Sequence, residues 1–123
     1  MLREEFEHVM QEVFDTLPEK FRTTFENVRI VVEDVPVETT RRRFSTRGGS
    51  MLLGLYEGIP LNKRGADYGV YPVVPDTITL FQKNIEAVSR SEEEVRGRIR
   101  EVLIHEIGHY FGMTDAEIRK AGY

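Results

Sequence analysis

The segment His105-Glu106-Ile107-Gly108-His109-Tyr110-Phe111-Gly112-Met113-Thr114-Asp115 constrains this chain more than any other. It reads as HExxH extended to HExxHxxGxxD, and that spacing makes chemical sense only on a helix. Residues four apart lie one turn above each other on the same helical face. His105 and His109 can therefore aim imidazole nitrogens at a single cation. Glu106 is offset from that line, toward a water on the cation rather than the cation itself. Two nitrogen ligands beside a carboxylate base are how a helix builds a hydrolytic zinc site.

Such a site usually has three protein ligands and one open position. Gly112, three residues past His109, can adopt a positive φ that ends a helix and turns the chain. That turn would swing Asp115 back toward the cation as third ligand. A glutamate on a second long helix is the other arrangement, but the 14 residues after His109 are too few for it. Thr114-Asp115-Ala116-Glu117 also fits a capping box, with Thr114 as N-cap and Glu117 three residues on. Asp115 would then simply occupy the first turn of a short final helix, favoured by the helix dipole. The two readings are compatible, because a capped turn would also direct the carboxylate.

At 123 residues the chain is expected to form one small domain, 1–123, with a modest core. A net charge of −4 argues against nucleic acid or an anionic membrane as partner. With no cysteine there can be no disulfide, thiolate metal site or cysteine nucleophile. Met1 to Phe6 is acidic and lacks the apolar centre of a signal peptide. No apolar run approaches the roughly 18 residues of a membrane span. A cytoplasmic location is the expectation.

Leu2, Phe6, Val9, Met10, Val13, Phe14 and Leu17 recur at helical spacing, and Pro18 marks the end of that helix. Residues 19–26 read as a second short helical turn, and His8 sits among acidic residues opposite the apolar stripe, as a solvated surface histidine. Strands are expected at Val28–Glu33, Met51–Glu57 and Thr77–Gln82, with Asp76 and Asn84 as turn residues. Glu38 to Ser50, with Arg41-Arg42-Arg43 and Arg47, reads as a solvated loop or as a basic patch for a substrate carboxylate or phosphate. Residues 58–76, rich in Gly, Pro and Tyr, read as a long loop. Ser91 and Glu94 fit a capping box that starts a helix running to Phe111, with Val95, Ile99, Val102 and Leu103 as its apolar stripe. His105, Glu106 and His109 continue the core side of that helix, where a polar cluster needs partners. Gly108 costs about 1 kcal/mol of helix stability, which close packing against a neighbouring element would explain.

The motif from His105 to Asp115 resembles that of the Asp-zincins, metallopeptidases holding one zinc by two histidines and an aspartate. The length and layout of the chain also resemble small bacterial zincin-like domains. There an N-terminal helix, a small mixed β-sheet and a C-terminal active-site helix carrying HExxH make up nearly the whole protein. Leu53–Gly58 followed by Pro60-Leu61, and Thr77–Phe81 ahead of the motif helix, share that layout. The resemblance implies an α+β fold of minimal zincin-like type and a zinc-dependent metallopeptidase. It implies one Zn²⁺ held by His105, His109 and Asp115, with Glu106 as general base for a zinc-activated water. The substrate would be a peptide or protein, added as a strand at the Leu52–Glu57 edge.

The larger zincins have a second subdomain over the cleft and often a methionine turn, for which this chain has no room. Met113 lies inside the motif and is not assigned that part, and a homodimer would be one way to shield a shallow site. Transition-state stabilisers to consider are Tyr123, Tyr110 and a tyrosine from the 56–71 region. Glu101, one turn before His105, is either a partner for a histidine N–H or a solvent-facing residue. Two alternatives stand beside the peptidase. One is a zincin-like domain that binds metal or peptide without turnover. The other is a metal-dependent endoribonuclease, whose HxxxHxxxxxH pattern would need a histidine where Asp115 stands; the acidic charge disfavours RNA.

Overall fold

Residues 1–43, 51–58 and 76–123 are described by the computed structural model. The first apolar stripe forms helix α1, Arg3–Asp15, which buries Phe6, Val9 and Val13. Pro18 then opens α2, Glu19–Thr24, which tightens into a 3₁₀ turn at Phe25–Asn27. Strand β1, Val28–Glu33, follows, then α3, Glu38–Arg43, and β2, Gly54–Glu57. Strand β3, Asp76–Phe81, runs directly into α4, Gln82–Ala87. The motif helix is α5, Glu92–Tyr110, and the chain closes with α6, Asp115–Lys120.

The described strands make one sheet in the order β1-β3-β2. β1 lies parallel to β3 and β2 antiparallel to it, so the sheet is mixed, with β1 and β2 the outer strands among the described residues. Directly paired residues share a face. Ile30, Ile78 and Tyr56 therefore form one row, and Val32, Leu80 and Gly54 the next, all on one side. That side meets α1 and α5 in a core that includes Phe6, Ile78, Leu80, Ile85, Ile99 and Leu103. Each such side chain contributes roughly 1.5–3 kcal/mol by leaving water. Ion pairs such as Glu12–Arg96, 2.8 Å between α1 and α5, contribute at most about 1 kcal/mol. The core therefore sets how α5 sits on the sheet.

Four stretches depart from expectation, the shortest being Asp76, which is the first residue of β3 and not a turn residue. Residues 38–43, expected as loop, form α3, helped by the backbone bond from Arg41 N–H to Val37 O and by a Glu38–Arg42 pair at 2.9 Å. The second strand begins at Gly54 rather than Met51. Leu53 O still accepts from Phe81 N–H, but Leu52 O is taken by the Asn84 side chain at 2.9 Å, which stops the ladder. Asn84 is therefore no turn residue. It lies within α4, which Ile85 anchors by full burial and Gln82 by donating to Met1 O at 2.8 Å. The rest of the basic stretch, with Arg47, and the loop bearing Tyr68 and Tyr71 fall outside the described residues. No helix among the described residues is long and apolar enough to cross a membrane.

Candidate metal centre

Helix α5 starts at the expected N-cap, Ser91, but the expected capping box is not completed on Ser91 itself. Ser91 Oγ accepts from Glu94 N–H at 3.1 Å, and the Glu94 carboxylate reaches back to Arg90 N–H. Toward its C-terminal end the helix carries His105 and His109 one turn apart, ring centroids separated by 5.0 Å. It ends in a Schellman turn. Gly112, at φ +87°, donates to His109 O at 2.8 Å, and Met113 N–H donates to Gly108 O at 3.0 Å. Only a residue at ease with positive φ closes this turn without strain.

The turn orients both ends of the cluster. Met113 O accepts from His109 Nδ1 at 3.1 Å. A carbonyl can only accept, so Nδ1 carries a proton, and it is Nε2 that would offer its lone pair to a cation. Thr114 and Glu117 complete the capping box at 3.2 Å in each direction, which places Asp115 at the first position of α6. Asp115 Oδ1 then lies 2.8 Å from His105 Nε2 and 3.1 Å from His109 Nε2. Cap and convergence occur together, as the sequence allowed.

Gly108 is the reason α6 can reach so far back. A Cβ there would stand 2.7 Å from both Cγ1 and Cδ1 of Ile118, which is 2% exposed. The glycine in the middle of a helix is thus a contact surface, not a tolerated weakness.

Glu106 is 7% exposed. Its Oε1 accepts from Tyr56 N–H on β2 at 2.9 Å, and its Oε2 lies 4.0 Å from His109 Nε2. Burial holds its carboxyl above the usual carboxylate range, opposed by the His109 charge, the Tyr56 N–H and the His105 charge. For Asp115 burial acts upward too, but the His105 hydrogen bond and the charges of both histidines and Arg119 outweigh it and hold the group low. The two carboxyl groups are thereby separated. Asp115 is pushed toward the ionised form beside the histidines, and Glu106 toward the protonated form by its burial.

This donor set suits a divalent cation. Ligand atoms from His105, His109 and Asp115 all lie within 4.8 Å of one another. Donors about 2.0–2.1 Å from a tetrahedral zinc stand roughly 3.3 Å apart. The 2.8 and 3.1 Å separations need only a slight withdrawal of the Asp115 carboxylate to admit the ion. Three protein ligands would leave one position of a tetrahedral ion for water or substrate, and the three residues line a cleft of about 1210 Å³ together with Glu106, Gly54 and Tyr56. That volume exceeds the roughly 300–1,000 Å³ of small-molecule pockets.

Of the tyrosines considered, Tyr56 lines this cleft, and so does Tyr123. It is no frayed end, because Gly122 at φ +98° forms a second Schellman turn in which Tyr123 N–H donates to Ile118 O at 3.1 Å. Its ring packs edge-on to Phe21 at 5.6 Å and stays half exposed. Tyr110 is excluded as a cleft residue: it is 3% exposed and packs edge-on to Tyr56 at 5.8 Å. Glu101 stands exposed, 3.5 Å from Arg98, while the Met113 carbonyl serves His109. His8 pairs with Glu12 on the surface of α1. Sequence reading missed two contributors, the Tyr56 amide and the Met113 carbonyl. The Gly54 two residues before Tyr56 was a signal, since an isolated glycine in a strand marks a close backbone approach.

A conserved hypothetical protein from Thermo thermophilus shares the fold, at TM-score 0.57 and 19% identity over 98% of both chains. No protein of curated function matches the chain. A profile of zincin-like metallopeptidases matches residues 25–123, from the turn before β1 through the motif to the last residue. The match takes in the sheet, the motif helix and the capped return, and this chain belongs to the zincin-like metallopeptidase family.

Proposed function

We propose that this protein is a zinc-dependent metallopeptidase that cleaves an extended peptide segment in the cleft between β2 and α6. The observation that carries the reading is the geometry of the converging ligands and the base beside them. Three ligand atoms gather within 4.8 Å, and a buried glutamate is anchored by one oxygen with the other turned to the same point. A structural zinc site closes all four positions and has no use for a base.

Zinc bound here would bring the pKa of a coordinated water from about 16 toward 7 and polarise a peptide carbonyl. His105, His109 and Asp115 would hold the ion, with the Met113 carbonyl keeping His109 in the coordinating tautomer. Glu106 Oε2 takes the proton of the attacking water and returns it to the leaving nitrogen. Tyr123, held over the cleft by its Schellman turn and Phe21, is the candidate donor to the developing oxyanion.

The substrate chain is proposed to add to β2. Phe81 N–H donates to Leu53 O, so alternate residues from Leu53 turn their backbone groups to β3. Gly54 and Tyr56 turn theirs away from β3, and Glu106 accepts the Tyr56 N–H. Gly54 therefore offers the outward ladder positions for an extended peptide.

The test is metal content followed by turnover. Purified protein should take up one Zn²⁺ per chain and cleave unstructured peptides. Glu106→Gln should keep the zinc and lose cleavage by about 10²–10⁴-fold. Stoichiometric zinc without cleavage of any peptide library would leave the binding-only domain; undiminished cleavage by Glu106→Gln would remove the assigned base.

A further inference from the structure

The inference concerns how Glu106 is held, and it rests on the assignment of Glu106 as the base. Strand β2 and helix α5 meet most closely where Gly54 faces Val102. A Cβ on Gly54 would stand 2.3 Å from Val102 Cγ1, 3.1 Å from Thr79 O and 3.6 Å from Glu106 Cγ. The first distance lies far inside van der Waals contact, so any larger residue must push strand and helix apart. Conformation does not demand the glycine: its φ is not among the positive ones of the described residues. Proximity does.

Two residues along the same edge, Tyr56 N–H reaches Glu106 Oε1 at 2.9 Å. A hydrogen bond of that length does not survive a separation of even an ångström. The bond divides the labour of the carboxylate, since Oε1 is anchored on the strand while Oε2 points toward the histidines, 4.0 Å from His109 Nε2. We propose that Gly54 is a positioning residue: by lacking a side chain it sets the β2–α5 spacing that puts the Tyr56 amide on Glu106 and aims the free oxygen at the reaction centre. A base must be held within about half an ångström of its productive place to work well. The ligand set is supported independently, through Gly108, Ile118 and the capped turn on the α6 side.

Gly54→Ala should therefore leave zinc affinity unchanged and lower kcat by about 10²-fold. The Tyr56 amide should exchange with solvent faster in zinc-loaded Gly54→Ala than in the wild type. Adding Val102→Ala removes the colliding methyl, so the double variant should regain both amide protection and most of kcat. Val102→Ile adds one methyl from the helix side; it should cause the same split in milder form and serves if Gly54→Ala does not fold. Unchanged kcat and unchanged Tyr56 protection in these variants would overturn the proposal. So would a loss of zinc affinity that accompanies the loss of kcat, or a double variant that stays impaired while folded. If the wild type cleaves no peptide, the peptidase reading fails, and Tyr56 protection in the same variants still decides whether Gly54 sets the contact.

Discussion

The motif helix is gripped on two sides, and each grip depends on a missing side chain. Toward the sheet the glycine belongs to the neighbour: Gly54 lets β2 settle on Val102. Toward the C-terminal return the glycine belongs to the helix: Gly108 lets Ile118 of α6 settle against it. The sheet side places the carboxylate of Glu106, the return side the carboxylate of Asp115. Both carboxylates must meet the same pair of histidines, yet each is brought there by different elements and given a different environment. Glu106 is buried and anchored by a backbone amide; Asp115 is exposed and held by the imidazoles. A small domain can thus give two carboxylates opposite environments by controlling which side of one helix each approaches.

The contrast can be broken at its strongest point first. Asp115→Ala should weaken zinc binding by more than the roughly 10–100-fold that follows loss of a supporting partner. Competition against a chromophoric chelator reads this directly, and unchanged affinity would place the third ligand elsewhere. Ile118→Ala empties the contact on the return side and should destabilise the fold by about 2–4 kcal/mol in chemical denaturation.

Gly108→Ala sharpens the comparison. It should lower zinc affinity by about 10–100-fold while the zinc-loaded fraction turns over as before, the reverse of the pattern expected on the sheet side. The added methyl meets the far end of the Ile118 side chain, so Ile118→Val in the same chain should recover part of the loss. A Gly108→Ala protein with normal affinity and depressed kcat would show that the two sides are not separable.

The smallest effect lies away from both grips and serves as a control. The Arg3 hydrogen bond at 2.7 Å holds the Asp34 carboxyl below its ordinary range. A carboxylate lowered in the folded state adds stability above its unfolded pKa of about 3.9. That stability is lost as pH falls below this value through the folded pKa. Asp34→Asn should therefore flatten the acid limb of the melting curve slightly and leave zinc affinity untouched. An equal pH dependence in wild type and variant would show that the exposed pair contributes nothing.

How far the sequence could be read follows from the range of the contacts concerned. The start of α5 at Ser91, the positive-φ turn at Gly112 and the Thr114–Glu117 box involve partners three to five residues apart, and each is found in place. The short elements escaped. Helix α4 was hidden because six residues with Asn84 at their centre look like a turn until Asn84 finds Leu52 O, 32 residues away. The beginning of β2 moved for the same reason. Tyr110 looked available beside the motif, but its position on the helix turns it toward Tyr56, which only the packing of the sheet reveals.

Sequence alone determined the pair of histidines on one helical face, the capped return that carries Asp115 and the apolar stripe that must be buried. These are set by backbone periodicity and by hydrogen bonds to near neighbours, which any chain with these residues would make. The tertiary structure decided which neighbours α5 has on either flank. It chose the Tyr56 amide, 50 residues away along the chain, as the anchor of Glu106, and Ile118 as the surface that Gly108 receives. Those choices rest on close packing across elements, where a single methyl group changes the spacing, and no local pattern encodes them.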